Sequence, residues 1–228
     1  MDAAPIRDFE GFCTALLQAG FSLGGPNGEG IFTLCDRFAP EIRWHTGDPQ
    51  TDPWAWRMRV LDERSDIAYA KVFFKKSGYI TREWAPAFLA VRRRGSTLEE
   101  DYACGLVSHT ARRIYALVQE YGSLAMHQIR PLGGFGREDR GAVERAVVEL
   151  QMGMYLTLCG RQRKFSPRHG EYGWDSTVLC ATEAFWGDAV MEQARKLRPE
   201  QAAERIAARV LSLHPDAPRR ALRRFILG

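Results

Sequence analysis

The chain has 228 residues, 45% of them hydrophobic and 26% charged, with a net charge of +4 at pH 7. That balance is ordinary for a folded globular protein and argues against disorder. No apolar run reaches the about eighteen residues that a membrane span needs, and Met1-Asp2-Ala3-Ala4-Pro5 lacks the basic opening of a secretory signal. We therefore expect a cytoplasmic chain with no membrane partner. Cys13, Cys35, Cys104, Cys159 and Cys180 are scattered and form no Cys-x-x-Cys pair, which points to reduced, mostly buried thiols.

Along the chain, Phe9, Phe12, Cys13, Leu16 and Leu17 recur at helical spacing and predict a helix over 7–19, stopped by Gly20. Residues 24–28 read as a glycine-rich loop and 31–34 as a short extended piece. Asp52-Pro53 combines an N-cap with a proline at the first helical position, so a helix is expected over 53–63. It carries Trp54, Met58 and Leu61 on one face and Trp56 and Val60 on another. A hairpin-like pair follows over 68–74 and 78–80, and Thr81 is placed to cap a helix bearing Trp84, Phe88 and Val91.

The second half predicts helices over 106–121, 123–129 and 141–154, then two strands over 155–159 and 174–182. Three helices followed by a hairpin with a basic tip is the order of a winged helix. The expected fold is mostly α with short β-hairpins (α+β). A small Trp-rich α+β region over 1–100 precedes a winged-helix domain over 101–182, and C-terminal helices over 183–228 pack on the rest; the alternative is one compact unit. The third helix would read DNA through Glu144, Arg145, Glu149 and Gln151, with Arg137 and Arg140 just before it. Arg161, Arg163, Lys164 and Arg168 of the hairpin would contact phosphates. Phe165, Tyr172 and Trp174 could wedge between bases or stack on them, with core packing the simpler expectation for Trp174. Each basic cluster can equally be a solvated face.

The run Trp44 to Arg57 holds three of the six tryptophans, with His45, Asp48, Asp52 and Arg57. Trp44, Trp54 and Trp56 could stack on an unpaired base while Asp48 or Asp52 positions a water. The simpler reading makes Asp52 a helix cap, Asp48 a turn cap and the tryptophans a small core. No His-x-x-x-His, Cys-x-x-Cys or Asp-x-Asp set suggests a metal, and the spacing of Gly133-Gly134-Phe135-Gly136 is not that of a phosphate-binding loop. No cofactor is expected.

The run Trp44 to Arg57, Tyr69 to Ile80, Glu83-Trp84-Ala85-Pro86, Gly133-Gly134-Phe135-Gly136, Leu150-Gln151-Met152 and Glu171-Tyr172-Gly173-Trp174 together resemble the bacterial AlkZ-related proteins over nearly the whole chain. These are similar in turn to the AlkZ-type winged-helix DNA glycosylases, which excise alkylated and crosslinked purines without a metal. The resemblance implies a DNA partner and a repair setting. Those glycosylases position water with a Gln-x-Gln or Gln-x-Asp pair, and this chain has neither: Gln151 is followed two places on by Gly153 and Gln162 by Lys164. The expectation is a DNA-binding relative without the usual catalytic pair. The alternatives are an active glycosylase using Asp48 or Asp52, and a protein-interaction module docking through Leu222, Phe225 and Ile226 of the last helix.

Overall fold

Asp8 starts the first helix, α1 (Phe9–Ala19), by accepting the Gly11 N–H at 2.7 Å. The helix buries Phe9, Phe12, Cys13 and Leu16 and ends at Gly20, whose φ of 93° suits only glycine. A β-carbon there would also lie 2.3 Å from the Trp84 indole, so glycine is required twice over. The computed structural model describes residues 4–166 and 170–228; Arg168 lies outside them.

After β1 (Phe21–Leu23), the backbone is extended at Thr33, as expected, but residues 31–34 join no strand. Thr33 instead caps a single 3-10 turn over Leu34–Arg37. Then come α2 (Pro53–Glu63), β2 (Ile67–Phe73), β3 (Lys76–Thr81), α3 (Ala85–Arg93) and α4 (Leu98–Ala103). Thr81 does not cap α3; its hydroxyl donates to the Gly20 carbonyl at 2.9 Å. Next are α5 (His109–Tyr121), β4 (Ser123–Ala125), α6 (Met126–Leu132), α7 (Arg140–Met152), β5 (Leu156–Ser166) and β6 (Gly170–Ala181). Ser123 was expected to cap a helix, but it opens β4. The chain closes with α8 (Thr182–Trp186), α9 (Asp188–Lys196), α10 (Pro199–Leu213) and α11 (Arg219–Leu227).

The result is a mixed α+β fold around one six-stranded antiparallel sheet, ordered β1-β3-β2-β5-β6-β4. The two hairpins meet edge to edge where Tyr69 pairs with Leu158, so the sheet runs on across residue 100. Helix α3 is buried from Ala85 to Val91, with α9, α10 and α11 packed on it. Phe21, Phe73, Phe88 and Phe225 share one cluster, and Phe73 stacks on Phe225 with centroids 4.0 Å apart.

That cluster corrects one expectation. Phe225 and Ile226 are 0% and 5% exposed and Leu222 packs against the core, so the apolar face of α11 is consumed inside this chain. Beneath it lies Arg92, with no carboxylate partner among the described residues. Its guanidinium donates to the carbonyls of Val72, Met152, Phe225 and Ile226 at 2.6 to 3.1 Å, joining β2 to the ends of α7 and α11. Burial pushes its pKa down to about 9, still above neutrality, and the four carbonyls favour the charged form. All five cysteines are free; Cys104 is exposed, and Cys13 and Cys180 are buried.

Candidate nucleic-acid interface

The tryptophan run folds around one carboxylate. Asp52 is 1% exposed and accepts the backbone N–H groups of His45, Gly47 and Trp54 at 3.0, 3.0 and 2.8 Å. Burial opposes its ionisation, but these donors together outweigh burial and hold the carboxyl below its ordinary range. The group is thus a helix cap and loop clasp, with its acceptor capacity turned to the backbone. Asp48 is exposed and makes a turn: its carboxylate accepts the Thr51 hydroxyl at 2.7 Å and the Gln50 N–H at 2.9 Å, which lowers its pKa. Neither aspartate lines the pocket beside Trp44 or the groove between α7 and the β2–β3 hairpin.

The three tryptophans separate. Trp56 is 0% exposed and packs against Phe9, Phe12 and Phe38, while its indole N–H donates to the Gln50 carbonyl at 3.2 Å. It offers no face to a base, which corrects its assignment as a stacking residue. Trp54 is exposed, but the Arg57 guanidinium lies 3.1 Å from its ring centroid and the His45 ring 4.6 Å from it. Trp44 is half-buried, facing Gly25.

Trp44, His45, Trp54 and Arg57 wall a pocket of about 460 Å³ with residues 24–27, Tyr69, Lys76 and Ser77. A larger cleft of about 950 Å³ lies between α7 and the β2–β3 hairpin, and Arg57, Tyr69 and Ser77 line both. Four cations from three elements line this cleft: Arg57 from α2, Lys71 and Lys75 from the hairpin, and Arg145 from α7. None of them has a carboxylate within 4.0 Å among the described residues. The acids of the cleft wall are otherwise engaged. Glu144 pairs with Arg140 at 2.9 Å, and Glu149 accepts the Ser108 N–H and hydroxyl, each at 2.7 Å.

Gln151 was expected to point outward from the reading helix, but it is 3% exposed. Its side-chain oxygen accepts the Lys71 N–H at 2.8 Å and its amide donates to the Val147 carbonyl at 3.1 Å, pinning α7 to β2. The β5–β6 hairpin spends its charge differently. Arg161 pairs with Asp62 at 2.9 Å and Asp175 at 3.5 Å, and Arg163 with Asp175 at 3.3 Å and Glu171 at 3.5 Å. Lys164 is half-buried, and Arg137 is exposed just before α7. Trp174, expected in the core, is 90% exposed, beside Phe165 at 70% and Tyr172 at 50%.

Of the residues that line the cleft, Lys71 and the structural role of Gln151 had no local sequence signal. Lys75 did have one: it falls in the break between the expected strands 68–74 and 78–80. Among the described residues, no three His, Cys, Asp or Glu side chains gather as metal ligands would. No helix described is long and apolar enough to cross a membrane.

An α+β protein built on an antiparallel sheet, with a cation-lined cleft between a helix and a hairpin, is the class that fold and site define. The AlkZ related family model matches residues 6–227, and the chain belongs to that family. No curated protein and no solved structure matches it.

Proposed function

We propose that the protein binds DNA in the cleft between α7 and the β2–β3 hairpin, as a relative of DNA-repair glycosylases that lacks their usual catalytic pair. The observation that carries this reading is a set of four cations without a carboxylate partner among the described residues, Arg57, Lys71, Lys75 and Arg145, converging on one groove. A cation without a carboxylate partner can neutralise a phosphate, and release the counterion condensed there, without first giving up an ion pair. Residues 101–182 support a winged-helix role in their order of α5, β4, α6, α7, β5 and β6, with the strands adjacent as β4-β6-β5. Helix α7 then stands as the reader and β5–β6 as the wing.

Family membership supports the repair setting. The engagement of Asp52 by three backbone N–H groups argues against its use in positioning water, and Asp48 stands outside the cleft. The test is duplex binding over 50–200 mM salt for the wild type and for Arg57→Ala with Arg145→Ala. Removing two phosphate contacts is expected to flatten the slope of log K against log salt by about 1.8. A wild type without salt dependence, or a double variant with an unchanged slope, overturns the reading.

A further inference from the structure

The connection between β2 and β3 is built against local preference. Phe73 pairs with Lys76, leaving the two-residue turn Phe74-Lys75 with φ of 53° and 61°. Turns with both central residues left-handed favour Asn-Gly, because a β-carbon in that region crowds the backbone. Phe74 has a packing reason to be there: it is 8% exposed, lies 6.2 Å from the Phe225 ring and carries Arg224 over its face at 5.0 Å. Lys75 has none. Its side chain is exposed and its backbone N–H is held by the Met152 sulfur at 3.3 Å, a contact glycine would make equally well.

What the lysine adds is an ammonium on the wall of the cleft, beside Lys71, Arg57 and Arg145. Its neighbour Lys76 is tied to Glu29 at 2.8 Å, so Lys75 is the unengaged cation of the turn. We propose that Lys75 is a phosphodiester-binding residue, kept in a strained turn for its ligand rather than for the fold. The β2–β3 hairpin, rather than the wing, is then the main grip on the nucleic-acid backbone. This inference rests on the DNA-binding reading of the cleft. The physical contrast is with the wing, where Arg161 and Arg163 must first give up Asp62, Asp175 and Glu171 before they take a phosphate.

The experiment compares Lys75→Gly, Lys75→Gln and Arg163→Ala with Lys164→Ala in duplex binding and thermal unfolding. Lys75→Gly is expected to raise the unfolding midpoint by about 2 °C, since glycine relieves the turn. It is also expected to weaken binding, with a loss about threefold larger at 50 mM than at 200 mM salt, as removal of one phosphate contact requires. Lys75→Gln should weaken binding equally without raising the midpoint, and the wing pair should cost less than either. A Lys75→Gly midpoint at or below wild type overturns the strain argument. Unchanged binding in both Lys75 variants, alongside weakened binding in Arg57→Ala with Arg145→Ala, overturns the turn's role and leaves the cleft reading standing. Unchanged binding in all of them overturns the cleft reading itself.

Discussion

The two hairpins of the sheet carry similar cations and dispose of them in opposite ways. On β2–β3, among the described residues, Lys71 and Lys75 stand without carboxylates and only Lys76 is paired. On β5–β6, Arg161 and Arg163 share Asp62, Glu171 and Asp175, Lys164 has no carboxylate among the described residues, and three aromatic side chains face solvent. A count of basic residues would rank the wing first. The geometry ranks the shorter hairpin first, because a charge already neutralised locally adds little to polyanion binding. The lesson is that charge placement becomes meaningful only once the partners of each charge are known.

The largest expected effect comes from Phe225→Ala, which removes the ring stacked on Phe73 behind the β2–β3 hairpin. A fully buried phenylalanine cut to alanine costs about 3–5 kcal/mol, read by denaturant unfolding. If the hairpins are supported separately, amide exchange should quicken around residues 67–81 and change little at 170–176. Equal loss of protection in both would erase the distinction.

Next is Asp52, which clasps the loop carrying Trp44 and His45. Asp52→Ala should cost about 1 kcal/mol through the lost cap. The carboxyl's pKa lies lower in the folded chain than its ordinary 3.8. Its contribution is therefore complete above the unfolded value and disappears as pH falls through the lower, folded one. Asp52→Asn should accordingly flatten the acid limb of the stability curve; an unaltered limb would mean the clasp adds nothing.

The smallest effect on stability is expected of Asp175→Asn, within about 0.5 kcal/mol for an exposed pair. Its value lies in binding. By removing one of the two carboxylates that each of Arg161 and Arg163 engages, it should modestly steepen the salt dependence of duplex binding and bring the β5–β6 hairpin closer to the cleft hairpin. If nothing changes, the wing stands apart from the nucleic acid.

Much of the fold was legible locally. Asp52-Pro53 announced α2, apolar spacing announced α1, α5 and α7, and both hairpins were visible as pairs of β-type runs. The union of those hairpins was not, because it depends on Tyr69 meeting Leu158 far along the chain. The same limit hid the site. Trp54 and Trp56 lie two places apart on α2 and face opposite ways, and nothing local says which face meets Phe12 and Phe38. Gln151 reads as a polar surface position until α7 is laid against β2, where its amide completes the backbone bonding of Lys71. The AlkZ-related resemblance, by contrast, was fully legible, since it resides in runs of residues rather than in their contacts.

Arg92 makes the last helix part of the cleft's frame. One guanidinium fastens the main chain of β2, α7 and α11 into a single joint, and two of those segments, β2 and α7, form facing walls of the groove. A lysine there could not span the same set of carbonyls, because an ammonium is a point and a guanidinium is a fork. Slack introduced at the end of α11 would therefore be transmitted through this joint and felt as a change in the width of the groove.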